Sequence, residues 1–181
     1  MSPELETNRL VLRHWRESDL ETWIQMGSDS KVMEFFPATL SRAESLAMAE
    51  RISDRLITQK FGLWAVEVKS GEPFIGFIGL SHQDVGLPIG SFVEIGWRLK
   101  PSSWGNGYAT EGARRVLQYG FAECDLEITY SMTSRINIPS RKVMARIGLI
   151  EQPQLAFDHP RIAPESALSD HVIYCAEKPI C

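Results

Sequence analysis

The hydrophobic period of the chain changes several times, and each change predicts an element. Arg9 to Trp15 alternate, with Leu10, Leu12 and His14 set against Val11, Arg13 and Trp15, and read as a strand. Ser18 with Glu21, and Ser41 with Glu44, each place a hydroxyl three residues before a carboxylate that can reach back, the pattern of a reciprocal helix cap. The first predicts a short helix to about Met26. The second predicts a longer helix with Leu46, Ala49, Ser53, Leu56 and Ile57 at helical spacing. Phe61 to Lys69 and Phe74 to Ser81 read as strands joined by the turn residues Ser70, Gly71, Glu72 and Pro73. Ser91 to Leu99 is a third strand of this group. Val93, Ile95, Trp97 and Leu99 share one of its faces, Glu94, Gly96 and Arg98 the other, and Pro101 ends it.

The clearest helix follows. Ala109, Gly112, Ala113, Val116, Leu117, Gly120 and Phe121 form one stripe, with Arg114, Arg115 and Gln118 outside it. The start of that stripe is made of small residues, so the helix can lie close on a sheet. Leu126 to Thr133 reads as a strand. Asn137 to Ile147 reads as a short helix with Asn137 as N-cap, Pro139 in the first turn and Gly148 as the stop. Leu149 to Phe157 and Leu168 to Ala176 are expected to close the sheet. No linker-like stretch or internal repeat interrupts the chain, so residues 1–181 are read as one domain. The mixed order predicts an α+β (α/β mixed) fold that is not doubly wound.

Composition narrows the class. The chain has 181 residues, 44% hydrophobic and 23% charged, the balance of an ordinary folded domain. A formal charge of -4 gives no electrostatic reason to expect a nucleic-acid partner. The first residues lack a basic flank and an apolar run, and no stretch approaches the ~20 apolar residues of a membrane span, so a cytoplasmic location and no membrane partner are expected. Cys124, Cys175 and Cys181 are spaced like neither a disulfide framework nor a metal site. Cys124 is expected to pack as a small apolar residue, and Cys181 to be a mere terminus. No histidine pair has a third ligand at metal-site spacing, so no metal is expected.

Candidate chemistry concentrates in Trp104 to Glu111, WGNGYATE, between a strand and the small-faced helix. Gly105 and Gly107 permit unusual φ values and close approach of a ligand to the backbone. A helix start adds unpaired N–H donors and partial positive charge, which suit a phosphate or pyrophosphate. A plain glycine-rich turn fits the local pattern equally well. The dinucleotide fingerprint fails because Thr110 holds its third glycine position, and the Gly-Lys-Ser/Thr of a P-loop is absent.

The run Leu99-Lys100-Pro101-Ser102-Ser103-Trp104-Gly105-Asn106-Gly107-Tyr108-Ala109 resembles the acetyl-CoA-binding motif of the GNAT superfamily of N-acetyltransferases, with Gly107 and Ala109 at its small positions. Trp104 occupies a position where many members have Gln or Arg, a departure shared with the branch that includes ribosomal-protein alanine N-acetyltransferases. The segment from Asn137 to Gly148-Leu149, the N-terminal TNRLVLRHW and the strand EIGWRL are similar to that branch too. The resemblance implies a central, mostly antiparallel twisted sheet flanked by helices, in which strands Ser91–Leu99 and Leu126–Thr133 splay into a cleft for coenzyme A. It implies acetyl-CoA as donor, its pantetheine along the main chain near Trp97 and Leu99. The pyrophosphate would lie on the amides of Gly105, Gly107 and Ala109 and their neighbours Trp104, Asn106, Tyr108 and Thr110, and the sulfur near Glu94, Trp97 and Ser140. Asn137 is an N-cap by pattern; a second bond to pantetheine is implied only by the resemblance.

An ammonium cannot attack a thioester, so a base must first take its proton, directly or through water. Glu94 is the candidate base, its side chain facing the space beside Gly96. An exposed strand carboxylate, or a partner for Arg98, is the alternative. The tetrahedral oxyanion needs a donor, for which a strand amide near Trp97 or Leu99 is the candidate. Ser140 matches the family position that assists thiolate departure and is equally placed to be a first-turn hydroxyl. The family builds its acceptor pocket from the loop holding Phe35, Phe36 and Glu34 and from the late hairpin holding Phe157 and Asp158. Core packing of these aromatics remains an alternative. His159 and His171 are rival bases, with turn chemistry before Pro160 as the plainer reading. The expected acceptor is a primary amine, either a protein N-terminus or a small molecule, and the expected assembly is a monomer or homodimer. A non-catalytic acyl-CoA-binding or sensing domain and a nucleotide-binding α/β protein are the competing classes.

Overall fold

The computed structural model describes residues 1–87 and 89–179, so Cys181 lies outside the described residues. The described residues form one sheet of nine strands with four α-helices. The strands are β1 (Leu5–Glu6), β2 (Leu10–Arg13), β3 (Leu63–Val68), β4 (Gly76–Gln83), β5 (Phe92–Leu99), β6 (Ile128–Ser134), β7 (Ile150–Glu151), β8 (Phe157–Asp158) and β9 (Asp170–Glu177). The helices are α1 (Leu20–Ser28), α2 (Arg42–Thr58), α3 (Tyr108–Glu123) and α4 (Ile138–Arg146). Strand order is β1-β2-β3-β4-β5-β6-β9-β7, with β8 also on β9. Neighbours pair antiparallel except β5 and β6, which are parallel and share the single bridge Glu94–Tyr130. The mixed, mostly antiparallel architecture is the one expected.

One core lies between the sheet and α3 and α4. Ile95 and Leu99 of β5 meet Ala113, Val116 and Leu117 of α3, with Val93 and Trp97 half-buried beside them. The small stripe does what its residues permit: a Cβ at Gly112 would stand 2.5 Å from Ile78 Cδ1. Cys124 packs against this core, half-buried at the end of α3. On the opposite face α1 and α2 cover Ala65, Phe74 and Phe77 with Trp23, Met26 and Ala49. Here the stripe on α2 differs from expectation. Ser45, Ala49, Ile52 and Leu56 are buried, while Leu46 and Ile57 are exposed. Close approach of α1 selects the smaller side chain, because a Cβ at Gly27 would lie 2.6 Å from Ser45 Oγ.

The Ser41–Glu44 cap forms as expected, whereas Ser18–Glu21 does not. Asp19 takes that role, accepting from Arg16 N at 2.8 Å, and α1 begins at Leu20 after a single 3-10 turn. The reason is Arg13, which the alternation placed on one face with Val11 and Trp15. It is buried and forks onto both oxygens of the equally buried Asp19 at 2.8 and 2.9 Å, with Glu67 at 2.7 Å. Removing one partner of such a pair strands a charge. Asp19→Ala is expected to cost about 3–5 kcal/mol in chemical denaturation, far more than Ser18→Ala, which touches no cap. The predicted strand Leu149–Phe157 breaks into β7, a 3-10 turn at Pro153–Leu155 and β8, since proline donates no ladder hydrogen bond.

Candidate active site

The loop between β5 and α3 presents a set of free donors. Gly105 and Gly107 have φ of +77° and +79°, the left-handed conformation glycine adopts without strain. Gly107 is the N-cap of α3 with no side-chain capping bond, and a Cβ at Gly105 would meet nothing within 4 Å. Among the described residues, no acceptor meets the amides of Gly105, Asn106, Gly107, Tyr108, Ala109 or Thr110. Side chains fix the loop instead of filling it. The exposed Trp104 donates its indole N–H to Leu99 O at 2.7 Å, and Asn106 Nδ2 bonds Trp104 O at 3.1 Å. Arg9, which the sequence did not single out, donates to Asn106 O at 3.0 Å and stacks on Tyr108 at 4.8 Å. It also pairs with Glu111 at 2.6 Å. Burial alone would raise the Glu111 carboxyl, but hydrogen bonds from Thr7 and Arg9 bring it below the usual range. The acid in the first turn of α3 is thereby neutralised, and the helix start suits a diphosphate.

The strand edge beside this loop is open. Ile95 O accepts from Ser131 Oγ at 2.9 Å and Leu99 O from Trp104, whereas Lys100 N turns to Ile75 O on the β4 side. By the alternation of an extended strand, the N–H groups of Trp97 and Leu99 and the Trp97 carbonyl point away from β4 toward β6. Beyond the Glu94–Tyr130 bridge, β6 has no ladder pairing with them. The two parallel strands therefore diverge at their carboxyl ends, where α3 and α4 also begin. Leu99 has its carbonyl already engaged, so it offers an extended ligand only its N–H.

Glu94 lies at the mouth of this opening. Burial raises its carboxyl to about 7, opposed by hydrogen bonds from Met132 N, at 3.4 Å, and from Gln83. Arg98 is not its partner: no hydrogen bond or ion pair joins them. A Cβ on Gly96, between them on the same face, would meet nothing within 4 Å, so space lies in front of the carboxylate. Asn137 is the predicted N-cap, accepting from Ser140 N at 3.2 Å and donating to Thr133 Oγ1 at 2.9 Å. Ser140 sits in the first turn of α4, and its hydroxyl makes no hydrogen bond among the described residues.

Register assigns the rest to faces. Glu94 pairs with Tyr130, Tyr130 with Cys175, Ser134 with His171, and His171 with Phe157. Steps of two keep these residues on one face, so Phe157 shares the face of Glu94 but lies beyond β6 and β9. It packs against His159 and His171, with ring centroids 6.0 and 5.6 Å away. Phe36, in the loop after α1, covers Arg98 at 4.0 Å, and Phe35 is half-buried beside it. Among the described residues, the aromatic contacts of Phe157 are with His159 and His171, and those of Phe36 are with Arg98. His159 serves turn chemistry, its Nδ1 meeting Arg161 N at 3.2 Å. Among the described residues, no group of three or more His, Cys, Asp or Glu is placed to hold a metal, and no helix is long and apolar enough to cross a membrane.

Comparison with known proteins agrees with this geometry. Residues 9–150 match the model of the acetyltransferase (GNAT) domain. The chain belongs to the GNAT acetyltransferase family. Over 145 residues it is 30% identical to the uncharacterized N-acetyltransferase YnaD of Bacillus subtilis, covering 80% of this chain and 81% of the relative. It is 32% identical to the FsC-acetyl coenzyme A-N(2)-transacetylase of Aspergillus fumigatus, covering 81% of this chain and 65% of that one. Among solved structures, a GNAT acetyltransferase from Bacillus anthracis superposes with a TM-score of 0.79 at 24% identity, over 97% of this chain and 99% of the other. RimJ of Mycobacterium smegmatis, solved with CoA-disulfide, gives 0.73 at 18% identity, over 97% and 86%. As a GNAT member, this chain is an acetyl-CoA-dependent acyltransferase.

Proposed function

We propose that the chain transfers an acetyl group from acetyl-CoA directly to a primary amine held on the Glu94 face of the sheet. The observation that carries this reading is a carboxyl held near pH 7 over vacant space, beside unpaired strand amides. Acetyl-CoA supplies the activated thioester. The free amides of Gly105 to Thr110 hold its diphosphate, and the Trp97 carbonyl with one of the two free N–H groups of Trp97 and Leu99 aligns its pantetheine like an added strand. Glu94 takes the proton from the incoming ammonium, and a basicity matched to neutral pH makes it suited to that exchange. The other of these two strand N–H groups faces the developing oxyanion, and the unpartnered Ser140 hydroxyl donates to the departing thiolate.

The test is acetyl-CoA consumption against a panel of small amines and N-terminal peptides. Acetylated product with at least one member supports transfer; tight CoA binding with no product from any amine would leave a binding or sensing domain. In the same assay Ser140→Ala is expected to lower kcat roughly tenfold by removing one neutral donor to the leaving group. Its thermal stability should be unchanged, because Asn137, not the serine hydroxyl, caps α4.

A further inference from the structure

Arg98 is the most anomalous charged group in the fold. The residue is only 9% exposed, and its Nε and Nη1 are enclosed without a partner among the described residues. No carboxylate pairs with it. Its guanidinium is packed among aromatic rings, 4.0 Å from Phe36, 5.3 Å from Trp23 and 5.7 Å from Phe77. Cation–π contacts offset part of the burial, yet they leave the in-plane N–H donors unmet. Burial lowers its pKa only to about 10, so the group is still a cation at neutral pH. A planar fork of donors, sealed on its faces by rings and lacking a counter-charge, is matched by a carboxylate arriving edge-on.

The route to it starts at the proposed acetyl-transfer site. Glu94, Gly96 and Arg98 are alternate residues of β5 on one face, and the place of a Gly96 side chain is open. Three residues lie between Glu94 and Arg98, so their Cα atoms stand about 13 Å apart along the strand, and a ligand joining the two head groups must cross the open place beside Gly96. Resting on the acetyl-transfer reading, we propose that Arg98 anchors a carboxylate of the acceptor, so that the substrate is a small amine with an acid group several bonds from its nitrogen, such as a dipeptide or an ω-amino acid.

The test is calorimetric binding of 6-aminohexanoate and its neutral isostere 6-aminohexanamide to the CoA-loaded protein. The acid is expected to bind at least tenfold tighter than the amide, and glycine weakly. Arg98→Met should bring the acid down to the affinity of the amide without changing the amide, and Arg98→Lys should fall between. Equal binding of acid and amide to the wild type would overturn the proposal, as would an Arg98→Met loss shared by both ligands, the mark of mere packing. Glycine binding as tightly as the longer acid would overturn the spacing. If Arg98→Met does not fold, the wild-type comparison and Arg98→Lys decide. Product formation is read in parallel across these ligands and the amine panel: acid-selective binding with no acetylation of any member sinks the transfer reading and keeps the anchor, whereas acetylation without acid preference does the reverse.

Discussion

Gly107→Val weakens coenzyme A binding about 100-fold or more, equivalent to about 3 kcal/mol. Gly107 stands at φ +79° at the head of α3, and the amides on either side of it have no acceptor. A valine there acts twice. Its Cβ conflicts with the left-handed backbone, at a cost of about 1–2 kcal/mol, and its methyl groups cover donors that a diphosphate would use. Only the first effect reaches the free protein, so the melting temperature should fall by about 2–8 °C. Titration calorimetry and a thermal melt separate the two. Normal CoA affinity in a folded Gly107→Val protein would remove this loop from the binding site.

Glu94→Gln has an opposite pair of effects. Turnover at neutral pH should drop about 100- to 1,000-fold, the contribution of a positioned base. In the wild type the rate rises with pH until the carboxyl is ionised, near pH 7. That limb disappears in the variant. Stability moves the other way. The native carboxyl titrates near 7 against an ordinary 4.5, so the native state favours the protonated form. Its stabilising contribution is complete below about pH 4 and is lost as pH climbs through 7. Glutamine does not ionise, so at pH 8 the variant should be more stable by about 1–3 kcal/mol, and near pH 4 no more stable than the wild type. A rate profile and melts at both pH values check this together. A variant that is slower and also less stable at pH 8 would mean that Glu94 is structural.

Patterns confined to one element were readable from the chain. The two faces of β5, the small stripe of α3, the Asn137 cap and the glycine loop each depend on neighbours a few residues apart, and each appears where the spacing put it. Features set by distant packing were not. The register of α2 turned on how closely α1 approaches Ser45, which no local period encodes. Arg13 and Arg98 both alternate like ordinary strand residues, yet both are buried, one clasped by Asp19 and the other enclosed by rings from α1, the loop after it and β4. Trp104 braces the loop, its indole N–H on Leu99 O and its amide N–H on Pro101 O rather than free like those that follow it, contacts that no local pattern encodes. The candidate site residues were legible as types, and the contacts each makes became visible only in the folded chain.

A sheet joined between β5 and β6 by one parallel bridge, one serine hydroxyl and the Met132–Glu94 hydrogen bond is mechanically two plates on a narrow seam. An extended molecule bonded to both lips of that seam would act as a rivet. Hydrogen exchange should register this as slower loss of label at Trp97 and Leu99 on one plate and at Met132 to Ser134 on the other, with the far strands β1 and β2 unaffected.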